Sequence, residues 1–467
     1  VLTSYLVANA IILPLSGWLS SVFGRKRFYM SCVALFTISS FLCGLAPSLP
    51  VLILFRVLQG AGGGGLQPSE QAILADTFTP AKRGMAFAVY GMAVVVAPAL
   101  GPTIGGWITD NYSWRWIFFI NIPVGVLSIL LTSQLVKDPP WLKGRKAAGV
   151  KVDYIGFGLL ALGLGALQVI LDKGEREDWF STHYITVLAV VAVVCLAALF
   201  FWEIRHKDPI VEVRLLMNRT FLMACIMLFM VGFVLYGTTV LLPQLVQTLM
   251  GYPAELAGLM LMPGGLALIA VLPLVGYLLS RFDARWLIAF GLFMLGLAMF
   301  YMVHQFDLGM DFRTLVWARV FQAAPLAFLF IPINTAAYAY LPREKNNAAS
   351  GLINLARNMG GSVGISLVTT LLTRRTQFHE TVLTAHASAF NPAFRAAVQS
   401  ATRHFMLSGS GKAAQQAYGQ FYGEILRQSN MLAYLDNFWF LAVASLVIIP
   451  FVFLMKRPPK GAAAPAH

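Results

Sequence analysis

The chain is expected to be an all-α integral membrane protein, two related helix bundles with two further helices between them, and three observations point there. Nearly all of its 467 residues fall in apolar runs about 20 residues long, the length a helix needs to cross a hydrocarbon core about 30 Å thick. Its composition is 58% hydrophobic and only 12% charged, against about 25% charged in soluble domains. Two signatures also recur in order. Gly17-Trp-Leu-Ser-Ser-Val-Phe-Gly-Arg-Lys26 answers to Gly276-Tyr-Leu-Leu-Ser-Arg-Phe-Asp-Ala-Arg285, and Arg56-Val-Leu-Gln59 answers to Arg319-Val-Phe-Gln322. A duplicated bundle is the arrangement that secondary transporters use to alternate access to a central site.

Thirteen spans follow in order, at 1–20, 28–46, 51–74, 85–108 and 116–135, then 154–171 and 183–203, then 220–241, 256–279, 286–303, 315–338, 352–372 and 435–455. The first five make residues 1–135 the N-terminal bundle. Residues 136–215 hold a basic linker and two spans that belong to neither repeat, and 216–467 form the C-terminal bundle with an extramembrane loop at 373–431. The first run opens at Val1 with no methionine, signal peptide or flanking charge, so a further helix is expected upstream.

The net charge of +14 is a topology signal. Loops on the side of Arg25, Lys26 and Arg27, with the C-terminal tail, carry 21 Lys and Arg, against 4 in the short loops opposite. By the positive-inside rule that side and the C-terminus are cytoplasmic. Nucleic-acid binding is not needed to explain the charge. Cys32, Cys43, Cys195 and Cys225 all lie within spans, which offers no disulfide framework or CxxC metal site, and the seven histidines lack metal-ligand spacing. No metal and no cofactor are expected, and no nucleophile, base and orienting group assemble into an enzymatic motif.

Along the first bundle, Gly17 and Gly24 permit close approach and a tight turn, while Arg25 and Lys26 can bond the negative ends of helices. The cluster is either a cytoplasmic gate between helices or only an anchor for topology. Arg56 lies inside an apolar run. Desolvating a lone guanidinium costs several kcal/mol, so it must find a partner on another helix, to couple protons or to brace the bundle. Glu70, fourteen residues further, is about 21 Å along the helix axis from Arg56 and cannot pair with it. As a carboxyl in an apolar span it is the candidate proton carrier, or else it reaches water, Lys82 or Arg83.

Gly60-Ala-Gly62-Gly-Gly-Gly65 formally matches a nucleotide-binding GxGxxG, but no strand precedes it, and Leu66-Gln67 stands where a P-loop needs Lys-Ser/Thr. These glycines are assigned to close helix contact, and Gly101, Pro102, Gly105 and Gly106 likewise, the proline bending a helix whose glycine face meets the opposite half. Gln59, Gln67, Tyr236, Gln244, Asn334, Asn354 and Arg357 are candidates to line a substrate cavity, or else they hydrogen-bond between helices. In the loop 373–431, Phe394, Ala397 and Val398, then Phe421, Ile425 and Leu426, fall at helical spacing, which predicts short amphipathic helices.

These residues resemble the major facilitator superfamily, and within it the fourteen-span drug:proton antiporters of the EmrB type. Gly17 to Arg27 resembles the first cytoplasmic signature, with Ser21 where the family carries an aspartate. Leu52 to Gly62 is similar to the arginine signature of the fourth family span, and Gly101-Pro102-Thr-Ile-Gly105-Gly106 to the antiporter signature of the fifth. Trp114-Arg-Trp-Ile-Phe-Phe-Ile-Asn-Ile-Pro123 resembles the opening of the sixth. The resemblance implies a major facilitator fold of two six-helix bundles with two extra helices, entered here at the second family span. The absent first span is then the natural source of an acidic partner for Arg56. It implies export of hydrophobic or amphipathic drugs in exchange for protons across a bacterial inner membrane, with a periplasmic membrane-fusion adaptor of the EmrA type leading to an outer-membrane channel. Export of a dedicated metabolite, peptide or siderophore, and a receptor or assembly subunit that keeps the fold without pumping, are the alternatives.

Overall fold

The protein is described by a computed structural model over residues 1–137, 153–206, 209–388, 390–407 and 411–456, and the described residues form eighteen α-helices and no strand. The first bundle holds α1 (Leu2–Phe23), α2 (Arg25–Leu45), α3 (Leu49–Gly64), α4 (Leu66–Thr77), α5 (Pro80–Asn111), α6 (Trp116–Phe119) and α7 (Asn121–Leu135). Two connecting helices come next, α8 (Tyr154–Lys173) and α9 (His183–Arg205). The second bundle holds α10 (Arg219–Leu249), α11 (Ala254–Leu278), α12 (Ala284–Gln305), α13 (Phe312–Ala323), α14 (Ala327–Tyr338), α15 (Asn346–His386), α16 (Pro392–Leu407), α17 (Ala413–Val447) and α18 (Ile449–Val452).

Eleven of the thirteen expected spans coincide with helices long and apolar enough to cross a membrane. The other two, 85–108 and 352–372, fall within α5 and α15, both continuous helices. Polar caps fix where several helices begin. Asp153 accepts from the Gly156 amide at 2.9 Å, Asn218 from the Thr220 and Phe221 amides at 3.0 and 3.3 Å, and Asp311 from the Thr314 amide at 2.8 Å, so orphan donors are met at the ends of α8, α10 and α13.

Four spans expected as single helices are broken, 51–74, 116–135, 315–338 and 435–455, and the first and third are equivalents in the repeat. The run 51–74 breaks at Gly65 between α3 and α4, and 315–338 breaks between α13 and α14 at a 3-10 turn over Ala324–Leu326. Pro325 has no amide to continue the helix there. In both repeats the break follows the arginine, about two and a half turns after Arg56 and under two turns after Arg319.

The two bundles meet along one seam. α1 and α4 pack on α15, and α5 packs on α11 and α14. α8 straddles the seam: Thr3 of α1 donates to its Asp172, and Ser362 of α15 donates to its Gln168 at 3.0 Å.

The loop 373–431 is not a set of short helices. α15 runs on to His386 and α17 starts at Ala413, so two spans extend as rigid helices beyond the apolar run, with α16 alone as a separate piece. Adding a residue to an existing helix is far easier than nucleating a new one, which is why the amphipathic periodicity is realised as extension. The expected apolar faces do meet: the Phe394 ring lies 5.5 Å from Phe421 and 6.4 Å from Tyr418. At the base, Asp436 of α17 accepts from Arg375 and His379 of α15, at 2.5 and 2.7 Å.

Candidate functional site

Two polar centres lie within the spans. The first is built around Arg56. Its Nη1 donates to Gln59 Oε1 at 2.8 Å, one turn along α3, and its guanidinium lies 4.4 Å from the centre of the Tyr5 ring and 5.8 Å from that of Phe118. The other helices therefore partner the cation with aromatic faces, and no described carboxylate pairs with it. Tyr5 lies over Gly63, where a Cβ would stand 2.8 Å from its hydroxyl, and its hydroxyl also bonds Asn9. Tyr236 of α10, in the second bundle, comes within electrostatic reach of Tyr5.

The repeat carries the same device. Arg319 donates to Gln322, again three residues on, and Gln322 donates to Thr238 at 2.8 Å. The two arginines differ in surroundings: Arg56 is half-buried, whereas Arg319 is only 7% exposed, with Gly264 packed against its stem.

The second centre closes the seam at the basic end. Arg25 forms a buried ion pair with Asp76 at the end of α4, and Asp76 Oδ1 accepts from Asn346 Nδ2 of α15 at 2.7 Å. The charge pair missing at Ser21, whose hydroxyl turns back to its own helix at the Trp18 carbonyl, is thus supplied by Asp76. Gly17 is needed for close approach: a Cβ there would meet the Ala348 Cα at 2.7 Å. Gly24 joins α1 to α2 with φ of 85°, a backbone that side chains rarely adopt. Lys26 donates to the Ser133 carbonyl of α7 at 2.5 Å, within the first bundle.

Further into the seam, Ser350 donates to the Pro68 carbonyl at 2.6 Å, Asn354 to Gln71 at 2.8 Å and Arg357 to Gln67 at 2.6 Å. Gln67, Asn354 and Arg357, candidates for a cavity wall, are therefore placed against one another across the seam, because buried polar groups must find partners and α4 and α15 bring them face to face. Glu70, between these glutamines on α4, accepts from the Tyr29 hydroxyl at 3.2 Å, and Tyr29 lies 3.4 Å from Ser128 of α7. The side chains of Lys82 and Arg83 lie outside the described residues.

Other candidates are placed elsewhere. Gln244 is exposed near the far end of α10, and Asn334 is buried with its amide bonded to the Phe330 carbonyl of its own helix at 2.7 Å. The glycines Gly60, Gly62 and Gly64 do serve close contact, each standing where a Cβ would come within 3 Å of the Tyr5, Phe36 or Asn9 backbone. Gly101, Gly105 and Gly106 do not: open space surrounds all three, and α5 meets the second half one helical stretch earlier, at Gly91 against Leu272 and at Phe87, which stacks on Tyr338 at 5.8 Å. The side chain of Pro102 lies outside the described residues. An apolar cavity of about 400 Å³ is lined by Phe290, Met294, Tyr301, Phe321 and neighbours of the second bundle alone, so the two halves do not share it.

Sequence reasoning missed Tyr5, Asn9, Asp76, Tyr90 and Asn346. Each is a polar residue in or beside an apolar run, the signal that did find Gln59 and Asn354.

Comparison with known proteins adds to this geometry. The sequence model of the Major Facilitator Superfamily matches residues 1–365. The chain is 38% identical to the Multidrug export protein EmrB of Escherichia coli over 462 residues, covering 99% of this chain and 88% of that protein. It is 37% identical to the Fatty acid resistance protein FarB of Neisseria gonorrhoeae over 461 residues, covering 98% and 88%. Among solved structures, the proton:xylose symporter XylE bound to 6-bromo-6-deoxy-D-glucose superposes with a TM-score of 0.61 at 15% identity, over 97% of this chain and 85% of that one, a likeness of fold.

Proposed function

The chain belongs to the major facilitator superfamily, and from that premise we propose that it is a proton-coupled exporter of hydrophobic and amphipathic toxic compounds in a bacterial inner membrane. One observation carries the reading: 36–38% identity over nearly the whole chain to EmrB multidrug export proteins of two genera. The geometry supports it. Two bundles joined at a seam closed at one end by hydrogen bonds suit rocking between two states of access. Glu70 supplies a carboxyl that can take up and release a proton, and Arg56 and Arg25 supply fixed positive charges. The basic end and the C-terminus are cytoplasmic in this reading, by the bias of 21 basic residues against 4.

Efflux-deficient cells producing the protein are expected to exclude a fluorescent lipophilic dye, and to accumulate it once the proton gradient is collapsed. Exclusion that survives the collapse would refute proton coupling. Absence of any exclusion, with the protein present in the membrane, would refute broad drug export and favour a dedicated cargo.

The long outer helices support a further step, docking of a periplasmic membrane-fusion adaptor that leads on to an outer-membrane channel. Beyond the bilayer, α17 exposes Tyr418 and Tyr422, the turn before α16 exposes Phe390 and the end of α16 exposes Leu407, and exposed apolar and aromatic groups of this kind mark interaction surfaces. A photo-cross-linking residue at Tyr422 is expected to capture the adaptor in cells, and one at lipid-facing Val193 to capture none. Equal capture at both positions would refute docking here.

A further inference from the structure

The Arg357 guanidinium reaches from the second half into the first, and the role inferred for it rests on the reading of Glu70 as the proton-carrying carboxyl. Arg357 is 2% exposed. Its Nη2 lies 2.6 Å from Gln67 Oε1 across the seam and 2.7 Å from Asn354 Oδ1 on its own helix. Asn354 in turn donates across the seam to Gln71 at 2.8 Å, and Gln71 donates to the Tyr90 hydroxyl of α5 at 3.5 Å. The same hydroxyl is within hydrogen-bonding reach of Arg357. These hydrogen-bonding partners of Arg357 are all neutral, and its Nε has none among the described residues.

Glu70 lies in the midst of these partners, three residues after Gln67 and one before Gln71. Tyr29 faces it from α2, with Ser128 of α7 behind that hydroxyl, and the charges of Arg357 on α15 and of Glu70 act on one another and on Tyr90 of α5. On α4 itself the next charge is Asp76, already paired with Arg25. Neither α1 nor α3 sets a charged side chain against Glu70 among the described residues.

We propose that Arg357 is the residue through which the charge of Glu70 sets closure of the seam, with Tyr90 positioning its guanidinium. A charged Glu70 attracts the cation and holds it among Gln67, Gln71 and Tyr90, which keeps the basic end shut. A proton on Glu70 removes that attraction and leaves a buried cation with neutral partners only, so the parted state, in which water reaches Arg357, gains population. The sign fits exchange: a proton arriving from the opposite side opens the basic end, and its release there, as cargo binds, closes it again. Arg357 is thereby a gating residue and not part of the cargo site.

The test needs no cargo. Asn347 is 5% exposed in the closed seam, so Asn347→Cys reports parting when a membrane-impermeant maleimide is offered from the basic side of inside-out vesicles. Labelling is expected to rise on acidification by at least about fivefold, the lower end for coupled sites. Added to this reporter, Arg357→Gln is expected to abolish the rise on acidification, because no cation is left for a neutral Glu70 to strand, and Tyr90→Phe to keep the response with its midpoint moved. A response unchanged in Arg357→Gln overturns the proposal. One that survives in Glu70→Gln overturns the reading of Glu70 and the proposal with it. Both are separable from failure of dye export, which concerns cargo. Should Arg357→Gln fail to reach the membrane, Arg357→Lys decides: the retained cation is expected to shift the midpoint, and an unshifted profile overturns the proposal.

Discussion

Arg56→Ala is expected to abolish gradient-driven export of a lipophilic dye while the protein accumulates in the membrane as the unaltered protein does. The side chain is half-buried, stacked on Tyr5 and bonded to Gln59. Those contacts contribute about 0.5–2 kcal/mol from the ring and about 1.5–3 kcal/mol from the charged hydrogen bond. Against them stands a desolvation penalty of several kcal/mol, so alanine removes attraction and penalty together and leaves folding nearly unchanged. What it removes for good is the fixed positive charge that holds Tyr5, and through Tyr5 faces Tyr236 of the other half. Arg56→Lys is expected to restore only part of the transport, because an ammonium lacks the planar group that stacks on the ring. Its repeat counterpart behaves differently. Arg319→Ala empties a site packed by Gly264 and leaves Gln322 without its donor in a dry interior, so lower abundance is expected there. Dye efflux from everted vesicles, set against immunoblots of the same membranes, separates the two results. Undiminished efflux by Arg56→Ala would remove it from coupling.

Much of this architecture is legible in the chain because the bilayer leaves so few options. An apolar run of fixed length has to be a helix, so eleven spans fall on helices, most of them within a few residues, though the helices at 220–241 and 435–455 run well beyond the apolar stretch. The recurrence of Arg56 and Gln59 as Arg319 and Gln322 was legible too, but the bond between them was not, since the arginine's partner was sought on another helix although a spacing of three puts both side chains on one face. The seam was not. Asn354 and Gln71 are 283 residues apart, and nothing in the periodicity of α4 or α15 says that these two helices face each other. For the same reason Gln67 and Arg357, recognisable as polar residues in apolar runs, could not be told from cavity residues. The antiporter glycines show the converse case. Gly101, Gly105 and Gly106 announce a face without side chains, but not whether a neighbour fills it, and here open space does. Asp76 was hidden by position: near a helix end it passes for an ordinary boundary charge, and only the fold brings Arg25 onto it.

That pair yields the second large effect. Asp76→Ala is expected to destabilise the protein by about 3–5 kcal/mol, the usual result of stranding one member of a buried ion pair. The group that loses its carboxylate is Arg25, which is 2% exposed and also donates to the Ala72 carbonyl 3.3 Å away. Removing both charges is a different experiment. Arg25→Met with Asp76→Leu keeps the volume and leaves no buried charge unpaired, so most of the stability is expected to return, as it does when buried pairs are replaced by apolar groups. Transport is not expected to return with it. Asp76 Oδ1 is also the acceptor for Asn346 of the second half, and the double variant leaves that amide without its partner on α4. Thermal unfolding in detergent reads the first effect and vesicle dye efflux the second. If the pair served only to hold the first bundle together, efflux would recover along with stability; recovery of stability alone places Asp76 in the contact that the two halves must make and break as they rock.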